Sequence, residues 1–123
     1  MRELISVEDV MVRDRTVTVV GFLVDRIFDT DEIVHLGELL YALPEELART
    51  NVIVNLGKLQ AIVTYMLGTL IGLQKRIKKA NGRLALCQIS PDINPVVDEA
   101  FEVCGLKKCF AIYLEEQEAL QSF

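Results

Sequence analysis

The chain predicts an α/β domain: a mixed sheet of four or five strands with helices mainly on one face. Three observations carry this. Two short apolar runs, Val52-Ile53-Val54 and Leu84-Ala85-Leu86-Cys87, lack polar alternation and suit strands covered on both faces. From Asn51 onward, strand-like and helix-like stretches alternate three times, the pattern of parallel strands joined by helical crossovers. A hairpin-like opening adds an antiparallel strand, which makes the sheet mixed.

The elements follow in order. Val7–Val12 and Thr16–Leu23 read as two strands, with Asp14-Arg15 as the turn; Gly21 suggests a bulge or a close contact. Asp29 is an N-cap with Glu32 three residues on, a capping-box arrangement. Ile33, Leu36, Leu39 and Leu40 then recur at helical spacing to about Ala42, and Pro44 closes the helix or starts a second turn. Asn51–Leu56 is a buried strand. Thr64 begins a long helix with Leu67, Leu70, Ile71, Gln74 and Ile77 on one side, and Gly68 and Gly72 one turn apart on another, where small residues permit close approach. Asn81-Gly82 ends that helix with a pair suited to the left-handed conformation. Arg83–Ile89 is the next strand. Ser90-Pro91 and Asn94-Pro95 are two successive helix-start signals. Val96, Val97, Ala100, Phe101 and Cys104 form the apolar face of the helix that follows, with Gly105 as its C-cap. Phe110–Tyr113 is a last strand, and Glu115–Leu120 an exposed, frayed helix.

Length and charge narrow the function. The 123 residues make one domain, 1–123, large enough to bury a core without disulfides or metal. The net charge of −5 argues against nucleic acid as a partner. No apolar run reaches the ~20 residues that span a bilayer. The opening MRELISVEDV has no apolar signal core, so a cytoplasmic location and no membrane partner are expected. Lys75, Arg76, Lys78, Lys79 and Arg83 cluster after the long helix, where the macrodipole favours cations. Cys87, Cys104 and Cys109 read as buried reduced thiols, since the single histidine, His35, completes no zinc set; His35 itself reads as a surface or boundary residue.

Catalytic patterns are missing from the sequence. It holds no GxGxxG or Walker motif and no Ser-His-Asp or Cys-His arrangement, and its acid pairs, Asp98-Glu99 and Glu115-Glu116, are adjacent residues that face different ways. No catalytic residue, metal or cofactor is therefore assigned, and a binding or regulatory role is expected over an enzyme. The strand-to-helix junction, Gln60 to Gly68, is the candidate site, because a helix N-terminus at the end of a sheet is where ligands and modifying groups gather.

From Asn51 onward the chain resembles the STAS domain, the family of bacterial anti-sigma-factor antagonists. The echoes are the buried VIVNL strand, the run LGTLIGLQKRIKKANGRLALCQISP and the segment FEVCGLKKCFAIY, in order, with about four extra residues after Ser90-Pro91. The N-terminal half fits more loosely, so the resemblance covers nearly the whole chain and implies a STAS-like fold. In the family an Asp-Ser-Ser-Gly-Leu-Gly motif opens the helix, and its second Ser is phosphorylated by a partner kinase that also acts as the anti-sigma factor. Laid on this chain, the Asp falls on Val63, the first Ser on Thr64, the phosphoacceptor on Tyr65 and the Gly on Met66, while Leu67-Gly68 are kept. The resemblance thus implies a non-enzymatic domain that docks to an anti-sigma factor or serine/threonine kinase-like protein through Gln60, Thr64, Tyr65, Met66 and Gly68. Thr64 keeps a phosphorylatable hydroxyl, or else serves as an N-cap; Tyr65 is a partner-contact aromatic, or else a packed or surface ring. Homodimerisation stays open. The alternative is a small-molecule or nucleotide-binding sensor using the same helix N-terminus as an anion site; a homo-oligomeric scaffold is a third reading.

Overall fold

A computed structural model describes residues 2–123. The strands β1 (Ile5–Val12) and β2 (Arg15–Phe22) form an antiparallel hairpin, with Val12 opposite Arg15. The turn is Arg13-Asp14, one residue earlier than expected, with φ of 49° and 67°. Positive φ at both central residues is the hairpin turn whose twist matches that of the strands. Gly21 makes no bulge. The register runs unbroken through Ser6 opposite Gly21, and a Cβ there would stand 3.1 Å from Ser6 Oγ, so the close-contact reading holds.

The helix α1 (Thr30–Glu45) starts as its cap predicts: Asp29 accepts from the amides of Asp31 (2.8 Å) and Glu32 (3.3 Å). Glu32 instead accepts from Arg2 Nε at 2.9 Å. The helix passes Ala42 and takes Pro44 into its last turn, where few i→i−4 bonds remain to lose. Then follow β3 (Asn51–Asn55), α2 (Thr64–Lys79), β4 (Arg83–Cys87), α3 (Pro95–Val103), β5 (Ala111–Tyr113) and α4 (Glu116–Gln121). The sheet has five strands in the order β1-β2-β3-β4-β5, with β2 to β5 parallel. Ser90-Pro91 opens only a turn, in which Ser90 Oγ accepts from the Ile93 amide at 3.1 Å; Asn94-Pro95 opens the helix.

The main core lies between the sheet and three helices. Leu36 and Leu40 of α1, Leu70, Leu73 and Ile77 of α2, and Val97 and Phe101 of α3 meet Val20, Val52, Val54 and Leu86. At ~25 cal/mol per Å² of apolar surface, this burial is the dominant stabilising term. The α2 glycines divide. Gly72 lies under Tyr41, whose ring carries the Arg76 guanidinium 3.7 Å from its centroid, and Arg76 also donates to Glu45 at 3.1 Å. A Cβ at Gly68 would meet no atom within 4 Å beyond its own helix, so close approach holds at Gly72 alone.

The expected exposed C-terminal helix is the main correction. α4 covers the other face of the sheet, where Ala119 and Phe123 bury against Val17, Val19, Ile53, Ala85 and Cys87. Its apolar content is small, so periodicity gave no sign of this. It is tied down by polar bonds instead. Arg13 donates to the carbonyls of Gln121 (3.0 Å) and Phe123 (3.1 Å), Arg83 lies 4.6 Å from the Phe123 ring centroid, and Asn55 donates to Glu116 at 3.0 Å.

The cysteines also divide: Cys87 is buried, but Cys104 and Cys109 are exposed. Burial, with Glu116 and Glu115 nearby, pushes the Cys87 thiol up to about 12. A thiol reagent at neutral pH is therefore expected to modify Cys104 and Cys109 in the folded protein and Cys87 only after denaturation. Mass mapping of the labelled chain checks this; early labelling of Cys87 would contradict the tight seating of α4.

Candidate functional site

The candidate site lies where the parallel strands end, and three segments converge there. β3 ends on Asn55, whose Oδ1 accepts from the Gly57 amide at 2.9 Å and turns the chain. The following loop is held on both sides. The Gln60 amide donates to the Asp25 carbonyl at 2.6 Å, and Arg26 donates to Gln60 Oε1 at 3.0 Å, tying it to the segment between β2 and α1. On the other side the buried Asn94 donates through Nδ2 to the carbonyls of Leu56 and Leu59, both at 2.8 Å, while its Oδ1 accepts from the Val97 amide at 3.2 Å. One side chain thus caps α3 and pins the loop that leads into α2.

α2 opens without a side-chain cap. Its N-cap is Val63, which has no oxygen to offer, and the Met66 amide turns back to the Val63 carbonyl at 2.9 Å. Thr64 is the first helical residue, so the N-cap reading of Thr64 does not hold. Val63 stands where the resemblance places an Asp, a residue whose side chain could have capped these amides.

The structure separates the five predicted residues. Thr64, Tyr65 and Gly68 share one exposed side of the first α2 turns, as their three- and four-residue spacing requires, and Tyr65 is 60% exposed. Met66 points the other way, is 2% exposed and belongs to the main core. Gln60 is exposed but engaged by Arg26.

The sequence reading missed the apolar side chains on the neighbouring segments. Phe28 (61% exposed) stands before α1, and Ile93 and Val96 flank the start of α3. The periodicity puts Val96 on the buried face with Val97, Ala100, Phe101 and Cys104; the structure buries Val97 and Phe101 and exposes Val96 and Cys104. Consecutive valines on a short helix leave the phase of burial open. Val96 joins two shallow grooves, one of about 570 Å³ between Arg26, Gln60 and Ile93, the other of about 280 Å³ between Ile62, Glu99 and Val103. Among the described residues no cluster of three or more His, Cys, Asp or Glu could hold a metal ion. The arrangement presents an aromatic and aliphatic surface with a polar rim, a surface suited to another protein.

Comparison with known proteins agrees with this architecture. The STAS domain model matches residues 15–119, and the chain belongs to the STAS domain family. An anti-sigma-factor antagonist (STAS) domain protein from Planctomyces limnophilus superposes with a TM-score of 0.73 at 23% identity, covering 94% of this chain and 96% of that one. An anti-sigma factor antagonist from Mycobacterium paratuberculosis gives 0.73 at 17% identity, with 96% and 92% covered. The Bacillus cell fate determinant SpoIIAA in its phosphorylated form gives 0.65 at 20% identity, with 95% and 98% covered. These likenesses show the fold, and the family gives the chain a regulatory character. Among the described residues no helix is long and apolar enough to cross a membrane.

Proposed function

We propose that this domain is a non-enzymatic docking module, engaging an anti-sigma factor or a serine/threonine kinase-like partner through the first turns of α2. The observation that carries this is Tyr65, exposed at the second helical position beside Gly68, with no side chain above that glycine. Large aromatics in such settings are frequent binding hot spots. SpoIIAA exists in a phosphorylated form; here the acceptor position is a tyrosine, which a serine/threonine kinase does not modify. Thr64 is the one aliphatic hydroxyl between Gln60 and Gly68. A phosphate on it would sit at the favourable end of α2 and add about two negative charges to the docking surface.

The alternative anion or nucleotide sensor finds less support. The groove cations are already engaged, Arg26 by Gln60 and Lys58 by the Leu23 carbonyl at 3.2 Å. Calorimetric titration with an anti-sigma factor from the same genome tests the proposal. Tyr65→Ala and Gly68→Arg are each expected to weaken binding at least tenfold, or about 1.4 kcal/mol, without lowering the unfolding midpoint. Binding indifferent to both substitutions would overturn the assignment of the surface.

A further inference from the structure

The sheet has a second surface, at its other side, that the docking site does not use. Among the described residues β1 pairs only with β2, so one edge of β1 is open. The register says which groups face outward. Leu4 and Leu23 form a hydrogen-bonded pair, with the Leu23 amide donating to the Leu4 carbonyl at 2.9 Å. Hydrogen-bonded and non-hydrogen-bonded pairs alternate, so Ser6, Glu8, Val10 and Val12 direct their backbone groups at β2. Ile5, Val7, Asp9 and Met11 direct theirs outward.

The side chains of that outward row lie on the α1 face. There a groove of about 470 Å³ runs between the strand and the helix, with Leu4, Ile5 and Val7 on one wall and Leu39, Ala42 and Leu47 on the other. Val7 is 50% exposed and Leu47 56%. Ion pairs hold two nearby cations, Arg2 with Glu32 at 2.9 Å and Arg49 with Asp9 at 2.8 Å. Glu3 and Glu46 are exposed and have no ion pair among the described residues, so the charge left over around the groove is acidic; Glu8, likewise exposed and unpaired among them, faces the other side of the sheet.

We infer that the β1 edge and the β1–α1 groove take an extended segment of a partner protein, apolar at alternate positions and basic between them. The segment would add as a sixth strand to the outward row, place its apolar side chains against Leu39 and Leu47, and turn the intervening cations to the opposite face of the sheet, beside Glu8. A second copy of this chain fits less well. Because outward residues must oppose outward residues, the two antiparallel registers nearest full overlap put Glu8 opposite Glu8 or Asp9 opposite Asp9, and directly opposed like charges are destabilising.

The test uses a fluorescently labelled peptide of repeated Lys-Val and its Glu-Val counterpart, read by anisotropy and by amide shifts of the isotope-labelled protein. Saturable binding of the Lys-Val peptide is expected, with shifts at Ile5, Val7, Asp9 and Met11. Val7→Pro removes an outward amide without touching the β2 ladder, and Leu39→Lys sets a cation in the wall; each is expected to weaken binding at least tenfold with the circular dichroism unchanged. Leu39→Lys stands as the test if Val7→Pro disturbs folding. Equal binding of the Glu-Val peptide, shifts confined to Thr64–Gly68, or no binding would overturn the inference. So would a dimer in sedimentation that Val7→Pro dissolves, which would assign the edge to a second copy.

Discussion

Asn94→Ala is expected to destabilise the fold by about 3 kcal/mol, from a lost helix cap and the buried Leu59 carbonyl left without a donor, while the Leu56 carbonyl keeps only the Leu59 amide at 3.1 Å. The residue is 5% exposed, and its carboxamide donates to Leu56 and Leu59 and accepts from Val97. Asn94→Asp separates the parts. It keeps the cap acceptor but loses the donor, and sets a carboxylate against two carbonyl oxygens, so it is expected to be no better than alanine. Urea denaturation of the three proteins gives the comparison. An aspartate variant as stable as the parent would mean that the cap, and not the bridge, is what counts. The substitution also releases the loop ahead of α2, so amide exchange at Leu59 and Gln60 is expected to quicken before that of the β3 core.

Gly82→Ala is expected to cost a similar amount, about 3 kcal/mol, by overpacking against backbone. A Cβ at Gly82 would collide with the Thr50 carbonyl oxygen and stand 2.6 Å from Thr50 Cβ. That carbonyl accepts from the Arg83 amide at 2.8 Å, so relieving the clash pulls apart the first rung between β3 and β4. Gly68→Ala is the counterpart. It sits in the helix interior with open space above it, and alanine there is expected to stabilise by about 0.5–1 kcal/mol. Thermal unfolding of both variants reads the opposite signs directly.

The fold was legible in the sequence because its strands are short apolar runs and its main helices carry one-sided periodicity. Ile33, Leu36 and Leu40, and Leu67, Leu70 and Ile77, announced the faces they bury. α4 escaped because Arg13 and Arg83, distant in the chain, seat it, and pairings of that range leave no local pattern. At the candidate site, the junction was located but its members were not sorted. Met66 turns inward by the same helical period that turns Tyr65 outward; the resemblance groups the two by their place in a motif, which says nothing of the face each presents. Asn94 was legible as a cap, from the proline after it; its bridge to Leu56 and Leu59 depends on tertiary placement. Phe28 carried no signal beyond being an aromatic in a loop.

The strand order in space is the strand order in the chain, which bears on how the molecule assembles. Each strand joins beside the one synthesised before it, so every step closes a loop no longer than a single helical crossover, and the entropy of each closure is modest. The hairpin can form first and the parallel strands accrete from it. The contact between Arg13 and Phe123 spans 110 residues and cannot form until β3, β4 and β5 offer α4 a floor. The packing of α4 therefore comes late, and it bonds back to the first turn.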